Sequence, residues 1–345
     1  MTPDYRLRPL GPADADDLHA VASHWAVVRQ LGRWPWPPDR AFTESRCRPF
    51  EGDGAVWGIE VGGRIVGSVG LVVRDGQMGL GYMLSPALHG KGLMTRVCAE
   101  VIAQAWEARP DLERIAATTW HDNPASAAVL RKLGFHPVED NRAHAVARGV
   151  ETAARDWMLW RDGREPGPLR YRLTTARLTL RELDPEADAP ALARIGGDPR
   201  VAPMLVHPTV PWPVDKARAW ADRFRYTGEP GFRVAICRDG TLIGTGYFGI
   251  HDGTATCAYF LDPDHWGQGL ATEAMRAFLW DVRERWGVTR MGADHYADNP
   301  ASGAVLRKLG FRPTGRRVMG TGAARLEPAP CLIYRLDTAD LERPS

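Results

Sequence analysis

Asp122 to Phe135 reads DNPASAAVLRKLGF and Asp298 to Phe311 reads DNPASGAVLRKLGF, fourteen residues that differ only at Ala127 against Gly303. The copies lie 176 residues apart in a chain of 345, which marks an internal duplication. The same spacing relates Pro35-Trp36-Pro37 to Pro211-Trp212-Pro213, and a spacing of 177 relates Gly90-Lys91-Gly92-Leu93 to Gly267-Gln268-Gly269-Leu270. Each half suits one domain, since domains hold about 100 to 200 residues. Between them residues 163–172 carry Pro166, Gly167 and Pro168, which break regular structure and suit a connector. The expected organisation is a domain at 1–162, a linker at 163–172 and a domain at 173–345.

Within the motif, Asn123 or Asp122 can cap a helix, Pro124 suits its first turn and Gly134 the position after its end. Upstream in the first half, a strand is expected near Arg6 to Leu10, then a helical stretch from Ala13 and another after Pro38. Strand-like runs follow at Ala55 to Val61, Arg64 to Val73 and Gln77 to Leu84, joined by glycine-containing turns. From Leu93, the apolar residues Met94, Val97, Cys98, Val101, Ile102 and Ala105 recur at helical spacing and predict one buried face. A strand at Arg114 to Thr119, the motif helix and strands near Phe135 and Trp157 complete the unit. The fold class is α/β in the α+β sense, a mixed and mostly antiparallel sheet flanked by helices, built twice.

Composition narrows the function classes. The chain is 44% hydrophobic and 25% charged, an ordinary globular mixture. Lys+Arg at 44 against Asp+Glu at 42 leaves +2, with no basic block, so no nucleic-acid partner is expected. The five cysteines are scattered and never spaced as Cys-x-x-Cys, which predicts free thiols and no metal site. The first residues lack an apolar signal core, and no run approaches the roughly 20 apolar residues of a membrane span. A cytoplasmic protein without a membrane partner is the expectation.

The chemistry concentrates where a strand enters a helix through a glycine-bearing loop. These loops read His89-Gly90-Lys91-Gly92-Leu93-Met94 and Trp266-Gly267-Gln268-Gly269-Leu270-Ala271, after strands ending Tyr82-Met83-Leu84 and Tyr259-Phe260-Leu261. Free N–H groups at a helix start, with the positive end of the helix dipole, favour a phosphate, and glycine lets it approach. A single Gly-x-Gly is more often a plain turn; two in equivalent contexts point to a pyrophosphate cradle. A Rossmann loop needs a third glycine and a Walker A loop needs Gly-Lys-Ser/Thr, and neither is present.

Strand, Gly-x-Gly-x-Ala-Thr-Glu helix, strand, then Asn-Pro-Ala-Ser through Leu-Arg-Lys-Leu-Gly-Phe resembles the GNAT family of N-acetyltransferases, most of all its RimJ/RimL-like branch. The resemblance spans nearly all of both halves. It implies acetyl-coenzyme A as co-substrate, without a metal, and an amine acceptor that is a small molecule or a peptide. It implies that Gly90, Lys91, Gly92, Leu93 and Met94, with Gly267, Gln268, Gly269, Leu270 and Ala271, hold the pyrophosphate through main-chain amides. It also implies Met83, His89, Phe260 and Trp266 among the cofactor-binding residues, with Asn123 and Asn299 contacting the cofactor arm. His89 and Trp266 stand where the family has Gln or Arg, and Met94 where it has Gly or Ala, so the first-half site is expected to be the looser.

Ser126 lies at helical spacing from Val129, Leu130 and Leu133, which turns its hydroxyl inward. Ser126 and Ser302 are either buried hydroxyls bonded to their own helix or proton donors to the leaving coenzyme A thiolate. Many relatives use a tyrosine where Leu130 and Leu306 stand, and a glutamate where Gly79 and Thr256 stand. His121 in the first half, and Asp294 or His295 in the second, are candidate proton acceptors, with water as the alternative. Backbone N–H groups at Leu84 and Leu261 are expected to hold the thioester carbonyl during direct transfer in a ternary complex. The Trp-Pro segments either line the acceptor pocket or pack in the core. The rival readings are an acyl-coenzyme A sensor without turnover, or one catalytic and one structural half.

Overall fold

The computed structural model describes residues 3–251 and 253–344, which fall into two compact units, Met1–Pro168 and Leu169–Ser345. In the first unit the elements are β1 (Arg6–Arg8), α1 (Ala15–Ala22), α2 (Trp25–Val28), α3 (Arg40–Arg46), β2 (Gly54–Val61), β3 (Arg64–Arg74), β4 (Gln77–Leu84), α4 (Leu93–Ala108), β5 (Arg114–Trp120), α5 (Pro124–Lys132), β6 (His136–Ala145) and β7 (Val150–Trp160). The second unit holds β8 (Arg170–Thr174), β9 (Thr179–Glu182), α6 (Pro185–Gly196), α7 (Val214–Arg223), β10 (Phe232–Arg238), β11 (Thr241–His251), β12 (Thr254–Leu261), α8 (Leu270–Trp286), β13 (Arg290–Tyr296), α9 (Pro300–Lys308), β14 (Arg312–Gly320) and β15 (Ala329–Asp337).

The strand orders are β1-β2-β3-β4-β5-β7-β6 and β8-β9-β10-β11-β12-β13-β15-β14. Neighbours are antiparallel except β4 with β5 and β12 with β13, which run parallel across the helical crossovers α4 and α8. The sheets are thus mixed and mostly antiparallel. The helix from Leu93 buries Leu93, Met94, Val97, Cys98, Val101 and Ile102, the stripe its periodicity predicts. Burying each of the larger side chains contributes roughly 1.5–3 kcal/mol.

Two local expectations shift. The helix expected from Ala13 begins at Ala15, because Pro12–Asp14 forms a 3₁₀ turn in which the Asp14 carboxylate accepts the Gly11 N–H at 2.8 Å and pairs with Arg8. The short helix α2 has no counterpart in the sequence reading, since four residues are too few to show a period.

The single difference between the repeated motifs has a structural cause. On β5, Thr119 Oγ1 accepts the Trp157 indole N–H at 2.9 Å. On β13 the equivalent position is His295, 7% exposed, with Nδ1 2.8 Å from Tyr296 O and its ring 5.3 Å from that of Tyr334. The larger ring reaches α9, where a Cβ on Gly303 would sit 2.6 Å from His295 Nε2. Alanine fits at 127 because threonine is small. In most helix interiors Gly→Ala stabilises by about 1 kcal/mol, but Gly303→Ala is expected to destabilise by about 1–3 kcal/mol through overpacking. Urea unfolding checks this: His295→Thr added to Gly303→Ala should recover most of the loss, and a stabilising Gly303→Ala would refute the wedge.

Candidate active site

In both units the parallel strands diverge. In the first, β4 and β5 share only the register pair Gly79 with Ala116; in the second, β12 and β13 share Ala255 with Met291 and Thr256 with Gly292. Beyond these pairs β4 and β12 have a free edge. Ser85 N–H donates back to Val66 O and Asp262 N–H to Ile243 O, each at 2.8 Å. Strand alternation therefore turns the N–H and C=O of Leu84 and Leu261 to the open side. In the first unit this edge borders a cavity of about 580 Å³, lined among others by Tyr82, Met83, Leu84, Asn123 and Ser126.

The glycine loops close the end of the cleft. Gly90 and Gly92 have φ of 73° and 75°, Gly267 and Gly269 of 72° and 77°, the left-handed region that glycine enters without a Cβ clash. Gly92 and Gly269 cap α4 and α8 with no side-chain hydrogen bond, and the helical ladder starts with Arg96 N–H on Gly92 O and Glu273 N–H on Gly269 O. The amides of each first turn have no partner within their helix.

His89 and Trp266, where the resemblance calls for Gln or Arg, do one job. Nε2 of His89 lies 2.9 Å from Leu84 O, and the Trp266 indole N–H donates to Leu261 O at 2.9 Å. Both reach back five residues to fasten the loop to the strand end. Met94 is 7% exposed and packs into the core below its loop. Lys91 is exposed. The Gln268 side chain is turned to the protein, accepting from Arg238 at 2.9 Å and donating to Asp264 O at 3.3 Å. Beside the second loop, Thr175, Gly269, Thr272, Glu273, Arg276 and Lys308 line a cavity of about 450 Å³.

Asn123, not Asp122, caps α5: its Oδ1 accepts Ser126 N–H at 3.1 Å, and Asn299 does the same for Ser302 at 3.2 Å. The aspartates instead hold arginines from the hairpins that follow. Arg148 donates to Asp122 at 2.9 and 3.0 Å and to Arg29 O at 2.8 Å. Arg325 donates to Asp298 at 2.9 and 3.0 Å and to Pro203 O. Each clamp ties the start of the motif helix to the segment before the Trp-Pro run.

Ser126 Oγ lies 2.6 Å from Tyr82 Oη and Ser302 Oγ 3.0 Å from Tyr259 Oη, so neither hydroxyl turns only to its own helix. Burial pushes both phenols well above the ordinary tyrosine value, and they stay protonated at neutral pH. These tyrosines were not among the expected site residues. The available signal was a tyrosine two residues before the strand's end in both halves.

The histidines stand elsewhere. His121 does not line the first unit's cavity, and its Nε2 is 3.5 Å from Arg155 Nη2, whose guanidinium is held by Asp140. His295 Nε2 is sealed against Gly303 without a hydrogen-bond partner rather than open to an incoming amine. The Trp-Pro segments differ between units: Trp36 is 39% exposed with its ring 5.2 Å from that of Trp25, whereas Trp212 is buried and packs on Trp220 at 5.3 Å. All five cysteines are free and buried. Among the described residues no group of His, Cys, Asp or Glu is placed to hold a metal ion, and no helix is long and apolar enough to cross a membrane.

The family model described as Acetyltransferase (GNAT) domain matches residues 5–136 and again 177–312. The chain is 34% identical over 97 residues to the uncharacterized N-acetyltransferase YoaA of Bacillus subtilis (strain 168), a match covering 26% of this chain and 54% of that protein, about half its length. It is 30% identical over 151 residues to the uncharacterized N-acetyltransferase p20 of Bacillus licheniformis, covering 41% of this chain and 83% of p20. Among solved structures it is similar to Mycobacterium smegmatis RimJ in complex with CoA-disulfide, at 21% identity and a TM-score of 0.43, over 48% of this chain and 85% of that one. Since the domain is matched twice over most of the length, the chain belongs to the GNAT acetyltransferase family and carries two copies of its domain in tandem.

Proposed function

We propose that each unit moves an acetyl group from acetyl-coenzyme A to an amine by direct attack, as a RimJ/RimL-like N-acetyltransferase. The observation that carries this reading is the pair of left-handed glycines that leave a helix N-terminus without a side-chain cap beside a free strand edge, found in both units. Bound acetyl-coenzyme A supplies the activated thioester. First-turn amides of α4 and α8 hold its pyrophosphate, and Asn123 and Asn299, their Oδ1 atoms engaged as caps, keep Nδ2 for the cofactor arm.

The N–H of Leu84 or Leu261 faces the thioester carbonyl and offsets the charge that develops on its oxygen. His89 and Trp266 act on the same residue's carbonyl and set its orientation. The amine nitrogen forms the new bond to the acyl carbon as the carbon–sulfur bond breaks. The Tyr82–Ser126 or Tyr259–Ser302 pair gives a proton to the leaving sulfur and regains one from water, to which the amine releases its own. Among the described residues no carboxylate lines the first unit's cleft, which favours an α-amine, of ordinary pKa about 7.7–8.0, over a lysine amine at about 10.4.

Calorimetric titration with coenzyme A is expected to give two equivalents per chain. A single equivalent would mean that one half is structural. Incubation with acetyl-coenzyme A and a panel of peptides, aminoglycosides and polyamines, read by the mass gain of one acetyl group, identifies the acceptor. Tight binding without transfer or thioester hydrolysis would favour the sensor reading.

A further inference from the structure

On the face of the second sheet that meets α7, Arg233 of β10 has no carboxylate partner among the described residues. Its guanidinium carbon lies 4.6 Å from the ring centre of Trp220, 5.1 Å from that of Tyr247 and 5.5 Å from that of Phe224. Nη1 donates to Thr245 Oγ1 at 3.0 Å, and Nε is buried without an acceptor. Arg233 as a whole is half-buried; cations drawn out of water are ordinarily paired, and a guanidinium has five donors to satisfy. Aromatic faces offset part of that cost, and they leave the donors open.

Two more basic groups gather on the same ring. Arg223, exposed at the end of α7, has its guanidinium carbon 5.5 Å from the Phe224 ring centre, and the His207 ring lies 6.2 Å from it. Neither has a carboxylate partner among the described residues. Partial burial, then Arg233 and Arg223, push the His207 pKa down, which agrees with an excess of positive charge there.

The position relative to the cleft follows from the hairpin contacts. In the first unit Val146 N–H holds Gly32 O at 3.2 Å, and Gly32 lines the cleft. In the second unit Ala323 N–H holds Val206 O at 3.0 Å in the same way, and His207 is the next residue. The cluster therefore lies at the second unit's counterpart of the segment that lines the first unit's cleft. By sheet register, Val56 and Gly70 occupy the places of Arg233 and Tyr247 in the first unit.

We propose that Arg233, Arg223 and His207 form a subsite for a compact anion, a carboxylate or phosphate carried by the second unit's acceptor, and that this unit selects anionic over polycationic amines. The proposal rests on the acetyl-transfer reading, and the first unit lacks the subsite.

The test saturates the full chain with coenzyme A, so that the glycine loops are filled, and titrates it calorimetrically with inorganic phosphate and with acetate against chloride at matched ionic strength. One of the two anions should bind measurably above chloride, and which one does so separates phosphate-bearing from carboxylate-bearing acceptors. Affinity should fall at least tenfold in Arg233→Met and in the surface double variant Arg223→Ala/His207→Ala, the latter keeping the test valid if Arg233→Met fails to fold. Failure to bind coenzyme A would sink the acetyl-transfer reading in a separate step. Normal coenzyme A binding with no anion binding, or anion binding unchanged in the double variant, would overturn the subsite. Efficient polyamine acetylation that survives Gly92→Asp would overturn the selectivity.

Discussion

Gly269→Asp is expected to weaken coenzyme A binding in the second unit at least tenfold, about 1.4 kcal/mol or more, and Gly92→Asp to do the same in the first. The glycine stands at φ 77° and its N-terminal helix turn presents unpaired amides. An aspartate there accepts from those amides as a helix cap, filling with its own carboxylate the place a phosphate needs. Aspartate also tolerates the left-handed region better than most residues, and a Cβ at 269 meets nothing nearer than Arg177 Nη2 at 3.8 Å. The fold should therefore survive while the anion site is lost. Calorimetry on each variant should show one of the two equivalents removed; both retained at full affinity after Gly269→Asp would defeat the loop assignment.

With the first unit silenced by Gly92→Asp, Ser302→Ala is expected to lower kcat by about a hundredfold, within the range for a positioned proton donor, while acetyl-coenzyme A affinity changes far less. The reason is geometric: Ser302 Oγ lies 3.0 Å from Tyr259 Oη, and burial keeps that phenol protonated. The pair can pass one proton to a leaving thiolate, acting in the transition state rather than in ground-state binding. Tyr259→Phe should have a similar effect, and the double variant should be little worse than either single one, as expected of groups acting together. Steady-state kinetics and calorimetry separate the outcomes. A loss of affinity with kcat intact would contradict proton donation, and no change in either would leave Ser302 as a packing hydroxyl.

Much of the scaffold was legible because its rules are local. The stripe from Leu93 to Ile102 is a period of 3.6 residues, and a helix that buries one face must show it. The loop glycines were readable as turns at a helix start because glycine enters positive φ without a Cβ clash. Asn123 could be named as a possible cap, but not chosen over Asp122, since both types cap helices; Arg148, which takes Asp122 away, comes from a hairpin 26 residues on.

By itself, then, the sequence determined the duplication, which shows when the two halves are laid side by side, and most of the strands and helices and the glycine turns before α4 and α8, which depend on residues within about one or two turns of each other. Only the tertiary structure decided which side chains face one another across elements. It brought Tyr82 to Ser126 from 44 positions away, put His295 against Gly303 so that the repeat had to differ there, and left Arg233 among rings with no carboxylate partner among the described residues. Those pairings depend on sheet register and helix seating, where a shift of one residue turns a strand side chain to the other face, and no local pattern in the chain records them.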